Sequence, residues 1–236
     1  MSDSQAILGY GSVLELADIA TPTTREYIGE VSNFTLPSAS TDQVDVTHMQ
    51  SPNKSREFID GLTDHGEFGC EMNYVPGSQA DLRMLAAKGK RKRIYITFPN
   101  GVQVAFTGTR QSYEKTAATD DKMTASASFK VSGEPLQTPA AAPRNIQAPV
   151  ITGTAKVGVP LELDRGIWAG ALDVTVKWQK DEAGDGNFTD IADATGLAYV
   201  PATADVGDKI RAVATGDNGS FTTVVNVDAT AAVVAA

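Results

Sequence analysis

The chain has 236 residues, 42% of them apolar, and a formal net charge of −9, enough for one large domain or two ordinary ones with a real core. The acidic balance excludes a surface that grips nucleic acid or anionic membrane as a whole, and no window approaches the roughly 20 apolar residues of a membrane-spanning helix. A single cysteine, Cys70, excludes an internal disulfide and fits synthesis in a reducing cytosol.

Gly, Thr, Ala and Val are plentiful, and long Leu/Glu/Lys-rich helical stretches are missing, which points to a mainly β protein. The opening MSDSQAILGYGS has neither the basic start nor the apolar run of a secretion signal. Its Gly9-Tyr10-Gly11 is too short for a phosphate-binding loop and has no helix after it. His48 and His65, the two histidines, stand near acids but lack catalytic or metal-ligand spacing, so each reads as a surface or interface residue.

In GEFGCEMNYV, Phe68, Cys70, Met72 and Tyr74 share one strand face, with Glu67, Glu71 and Asn73 on the other. Cys70 on the apolar face reads as an inert core thiol. A helix follows. Ser78 can cap it and Asp81 lies in its first turn. Leu82, Leu85 and Ala86 form an apolar stripe, and Gly89 can end it. The run KGKRKR, residues 88–93, puts Lys88 in the last helical turn, where a cation complements the helix dipole.

Residues 90–93 then connect to a hairpin. A charged connector is ordinarily just solvated. The sharper reading is a subunit contact in which Lys90, Arg91, Lys92 and Arg93 meet an acidic patch on a neighbour, drawn from Asp42, Asp45, Asp60, Asp64, Glu67 and Glu71. Specific DNA binding fits worst, because no recognition helix follows and no aromatic residues interleave.

The hairpin puts Ile94, Ile96 and Phe98 on one face, turns at Pro99-Asn100-Gly101, and returns with Val102, Val104 and Phe106. TASASFKV alternates Ala125, Ala127, Phe129 and Val131 with polar residues. The Pro/Ala-rich stretch LQTPAAAPRNIQAP, residues 136–149, reads as a semi-extended tether. We divide the chain into domain one, 1–138, a linker, 139–148, and domain two, 149–236. The first carries 13 basic and 17 acidic residues and the rest of the chain 7 and 12, so the basic run is a local patch on an acidic body.

Beyond the linker, Leu161 and Leu163, then Val174, Val176 and Trp178, then Ile210 and Ala212, then Phe221, Thr223, Val225 and Val227 mark successive short strands. About seven strands in about 90 residues suit an immunoglobulin-like sandwich, with no cysteine pair to pin its sheets. DEAGDGNFTD, residues 181–190, breaks the calcium-loop pattern and reads as a solvated turn.

Two resemblances follow from these residues. Domain two resembles a bacterial immunoglobulin-like repeat. The matching positions are Pro149, Ile151 and Gly153, Val157-Gly158, Leu161, Gly166 and Trp168, Val176 and Trp178, Tyr199, Asp205-Val206-Gly207-Asp208 and Ile210. The resemblance implies a core built on Trp168, Trp178 and Tyr199, and at most weak contact with host-surface carbohydrate.

Domain one resembles the major tail tube protein of long-tailed phages with non-contractile tails. The ordered series is Val44-Asp45-Val46-Thr47, Ser51-Pro52, Arg56-Glu57-Phe58-Ile59-Asp60-Gly61-Leu62, Asp64, Gly66-Glu67-Phe68, Asn73-Tyr74, the helix, the hairpin, and Phe129-Lys130-Val131-Ser132-Gly133-Glu134-Pro135.

That resemblance implies a β-sandwich or barrel with one flanking helix. It implies rings of six copies stacked into a tube, a stacking loop at 41–61, an arm at 1–25, and an outward-projecting immunoglobulin-like domain. Asp45, His48, Arg56, Glu57 and Asp60 join residues 90–93 as inter-subunit candidates. The implied partners are further copies of the chain, the tape measure, tail terminator and tail tip proteins, and double-stranded DNA passing through the lumen without specific attachment. The implied place is the virion, after synthesis in the host cytoplasm. No catalytic residue, metal or cofactor is expected. A second reading, a bacterial surface or secreted adhesion protein with an immunoglobulin-like binding module, stays open and would show compact monomers where the first shows tubes.

Overall fold

The computed structural model describes residues 9–182 and 184–236. The first part of the arm expected at 1–25 therefore lies outside the described residues. The chain divides into two compact units. One comprises Leu14–Ile96 and Val104–Gln137; the other comprises the described residues up to Val13, the Thr97–Gln103 turn and Thr138–Ala236.

The first unit is built from β1 (Val13–Asp18), β2 (Arg25–Ile28), β3 (Val31–Thr35), β4 (Ser40–Asp45), β5 (Phe58–Asp64), β6 (Glu67–Asn73), α1 (Gln79–Ala86), β7 (Arg91–Thr97), β8 (Gln103–Thr116) and β9 (Thr124–Thr138). Seven of the strands form one sheet in the order β2-β1-β7-β8-β9-β6-β3. The expected alternation holds where it was clearest: Phe68, Cys70 and Met72 on β6 and Ala125, Ala127, Phe129 and Val131 on β9 are buried, and β6 pairs antiparallel with β9 from Glu67↔Lys130 to Asn73↔Thr124. Phe68 packs on Phe106 and Phe129 with ring centroids 5.4 and 6.0 Å apart, which places the core of this unit at β6, β8 and β9.

The sheet order dictates curvature. β2 and β3 stand at opposite edges, yet only Gly29 and Glu30 separate them in sequence. Three Cα–Cα steps span at most about 11 Å, so the sheet must roll until its two edges meet at that corner. Glu30 makes the bend with φ 64°, and the Asn73 amide groups fix it by donating to the Glu30 carbonyl and carboxylate, each at 2.9 Å. The result is a β fold with a single flanking helix, as the alternation and the lone helical stretch predict.

The helix differs from expectation in one respect. Ser78 caps it, accepting from the Asp81 N–H at 3.2 Å, and Gly89, at φ 68°, lies just past its end. The buried face, however, is Ala80, Met84 and Ala87, while Leu82 and Leu85 point outward, 49% and 46% exposed. Small Ala side chains let the helix backbone approach the sheet, and two arginines complete the docking: Arg83 donates to the Tyr27 carbonyl and Arg110 to the Met84 carbonyl. α1 also ends at Ala86, so Lys88 follows the last turn rather than sitting in it.

The second unit contains β10 (Arg144–Gln147), β11 (Val150–Thr152), β12 (Leu161–Asp164), β13 (Ile167–Ala169), β14 (Asp173–Asp181), β15 (Thr189–Asp190), β16 (Ala198–Tyr199), β17 (Lys209–Asp217) and β18 (Thr222–Asn226). They form a four-stranded sheet, β15-β14-β17-β18, a three-stranded sheet, β11-β12-β16, and the β10-β13 pair. Leu161 and Leu163 from one sheet meet Val176, Trp178, Ile210 and Ala212 from the other, so the core lies between two layers.

Trp178 is fully buried, donates to the Gly196 carbonyl at 2.9 Å and packs on Tyr199 at 5.7 Å. Trp168 is buried apart from that cluster. Its ring covers Gly216, where a Cβ would come within 2.6 Å of it, so only glycine fits there. Phe221, expected in a strand, stands just before β18 and is half exposed. β10 runs through the Pro/Ala-rich stretch, pairing with β13 from Arg144↔Ala169, so that stretch is partly strand.

Candidate functional site

The most exposed structure among the described residues is the hairpin of β4 and β5. Every residue of both strands is solvent-exposed. The two strands pair from Ser40↔Asp64 to Asp45↔Phe58, with Val44 opposite Ile59. Local chemistry holds the ladder: the Thr41 and Thr63 hydroxyls share a hydrogen bond of 2.8 Å, and the Gln43 amide donates to Asp60 at 2.7 Å. At the base, Lys130 of β9 grips both carboxylate oxygens of Asp64, at 2.8 and 2.6 Å. That hydrogen bond, with the Gly66 N–H beside it, holds the Asp64 carboxyl below the usual range. Gly66 must be glycine in this turn: its φ is 68°, and a Cβ would stand 2.8 Å from the Ser38 carbonyl oxygen.

The tip is compact. The Val46 N–H donates to the Glu57 carbonyl at 2.9 Å, and a short 3-10 turn, Pro52–Lys54, carries Asn53 and Lys54 at positive φ. Asp45 accepts from Thr47, whose hydrogen bonds lower its carboxyl pKa, and lies 3.7 Å from Arg56. His48 Nε2 lies 3.6 Å from Glu57, and its Nδ1 accepts from the Gln50 N–H at 3.2 Å. The structure thus brings Asp45, His48, Arg56 and Glu57 together at the tip, with Asp60 nearer the middle of the arm.

Residues 90–93 do not act as one patch. Lys90 and Arg91 are exposed, and Arg91 reaches Ser132 at 3.4 Å. β7 begins at Arg91, so Lys92 points inward and is buried. Its ammonium lies 2.7 Å from Asp18 and 3.9 Å from Glu26. The hydrogen bond from Lys92 lowers the Asp18 carboxyl pKa. Arg93 lies over the Tyr95 ring at 5.9 Å, beside Arg25 at 3.8 Å. The period-two alternation that begins at Arg91 was the available signal for Lys92, and the charge run masked it.

The arm carries unsatisfied apolar surface. Met49 and Leu62 are 98% and 85% exposed, and Val44, Val46, Phe58 and Ile59 are exposed as well. An isolated two-stranded hairpin is at best marginally stable in water, and clustered exposed apolar side chains mark a contact surface. β2 and β3 stand at the two edges of the sheet, the positions at which a further strand can add. This chemistry suits association.

Cys70 is buried and its thiol is pushed up to about 12 by burial. Among the described residues no group of His, Cys, Asp and Glu side chains is placed to hold a metal ion, and no helix is long and apolar enough to cross a membrane.

A family model described as lambda phage tail tube protein matches residues 11–138. No curated protein matches the chain. Similar solved structures include the tail of an empty gene transfer agent particle with C6 symmetry, at 15% identity over 57% of this chain and 100% of that one, TM-score 0.47. The SPP1 tail tube is 13% identical over 56% and 78%, TM-score 0.45, and an anti-feeding prophage baseplate is 8% identical over 58% and 97%, TM-score 0.45.

Proposed function

The chain belongs to the lambda phage tail tube protein family, and from that membership we infer how this structural protein of the phage tail builds its tube. Copies join side by side into rings, six to a ring as the family resemblance implies, and rings stack axially through the β4–β5 arm. The single observation that carries this reading is the arm, exposed along both strands, rich in apolar side chains and covered by none of the described residues. Lateral contacts with rotation close into a ring, and axial contacts that never close give a filament. The edge strands β2 and β3 supply the lateral surface.

The acidic composition suits a conduit for DNA. Duplex DNA carries one charge per roughly 1.7 Å, and each basic contact would tether it; a chain of net charge −9 offers little to hold. The tape measure, terminator and tip proteins are the further partners this role needs. The two-layer C-terminal unit, read as an immunoglobulin-like domain, projects outward and is the surface available for weak host contact. The chain performs no catalysis in this role.

Replacing Val44, Phe58, Ile59 and Leu62, the exposed apolar residues of the arm's two strands, with Ser, in a chain that also carries a short Gly-Ser turn in place of residues 46–57, tests the reading. The variant is expected to keep the circular dichroism of the parent and lose tubes in electron micrographs. Tubes of normal length from the armless variant would overturn axial stacking through the arm.

A further inference from the structure

We propose that the outward face of α1, Leu82 and Leu85 with Lys88, Lys90 and Arg91 beside it, docks the β4–β5 arm of a second copy of this chain; the contact rests on the tube reading above. Leu82 and Leu85 lie three residues apart, hence on one helical face. They are half exposed because the helix meets its own sheet through Ala80, Met84 and Ala87. The strongest apolar stripe of the helix is therefore unused within its own chain.

The exposed charges that follow that stripe along the chain, Lys88, Lys90 and Arg91, have one sign, and the acid near Lys90, Asp18, is held by Lys92. The acid of the helix, Asp81, is buried and engaged by Lys115 at 2.8 Å, the Gly77 N–H at 3.0 Å and the Tyr113 hydroxyl at 3.1 Å. Arg83 is committed to the Tyr27 carbonyl.

The arm has the matching composition. Val44 and Ile59 face each other across its ladder, and Phe58 and Leu62 add apolar surface. Asp45 is held by Arg56 and Asp64 by Lys130, while Asp42 and Asp60 stand without an ion pair among the described residues. An apolar arm edged with acids thus fits an apolar helix face edged with bases. The arm cannot fill this role for its own helix, because it is exposed along its whole length in its own chain. Complementary charge at such a contact sets register and partner choice more than raw affinity.

Crosslinking in the full-length protein tests the contact. A chain carrying Leu85→Cys and Ile59→Cys is assembled and treated with a short bis-maleimide. Cys70 is buried and stays unreactive. Dimers and a ladder of higher oligomers are expected from the double variant and only monomers from either single variant.

In parallel, Leu82→Glu with Leu85→Glu should leave the circular dichroism unchanged, since both side chains face solvent. It should raise the concentration needed for tubes about tenfold or more. Lys88→Glu with Lys90→Glu and Arg91→Glu should do the same and be rescued by Asp42→Lys with Asp60→Lys. Tubes that form at the wild-type concentration from the leucine variant, without a ladder from the cysteine pair, overturn this contact alone. A wild-type chain that makes no tubes overturns the tube reading and the contact with it.

Discussion

Lys92 and its neighbours show how one charge run divides by environment. Lys90 and Arg91 face water, whereas Lys92 is buried against Asp18 and Glu26, residues more than sixty positions earlier in the chain. Reversing Lys92 would bury a carboxylate beside two solvent-exposed acids, so Lys92→Glu is expected to destabilise the protein by about 2 kcal/mol or more. Lys90→Glu and Arg91→Glu should stay within about 0.5 kcal/mol of the parent, as solvated surface changes do. Urea denaturation at neutral pH measures the difference, and equal stability of the three variants would refute the internal role of Lys92. The sequence carries the split only in the period-two alternation from Arg91, and it does not carry the partners of Lys92, which the β1–β2 and β1–β7 pairings bring in and no local pattern announces.

At the scale of elements, the strands were legible and the helix face was not. Period-two alternation located the buried faces of β6 and β9 residue by residue, since a strand with one wet face must alternate. The helix was placed by its cap and its Gly89 terminator, but hydrophobicity picked the wrong side. Leu82 and Leu85 outrank Ala80 and Ala87 in apolar area, and yet the sheet takes the smaller residues together with Met84. Close approach and polar anchoring decided the matter, and neither is visible in a stripe of leucines.

The polar anchor of α1 is testable by pH. Burial raises the Asp81 carboxyl, but hydrogen bonds from Lys115, Gly77 and Tyr113 outweigh it, and the net pKa is lowered from 3.8. A depressed carboxyl stabilises the fold fully above its unfolded value, and that stabilisation is lost as pH falls through the folded value. Asp81→Asn should therefore cost about 1–2 kcal/mol at pH 7, and the cost should shrink below about pH 4. Denaturation at pH 7 and pH 3 reads it; a cost that does not change between the two would contradict the ionised anchor. The β4–β5 arm belongs to the same scale: the family resemblance gave it as a stacking loop at 41–61, and its two strands were not read, because an exposed hairpin lacks the buried-face alternation that marks the others.

For the whole molecule, the sheet order is the central fact. Two residues join the edge strands β2 and β3, so the sheet rolls until its edges meet at one corner, yet among the described strands none pairs with the outer side of either. Composition gave the β class and the acidic body, whereas the roll and the free edges follow from long-range pairing alone. A rolled sheet with two open edges and an unsupported apolar arm is incomplete as a monomer and complete as a repeating unit. Negative-stain electron microscopy of the purified wild-type protein across a concentration series tests this most directly. The account predicts rings and hollow tubes with a bore wide enough for duplex DNA, growing in number with concentration. Compact single particles at every concentration would contradict it.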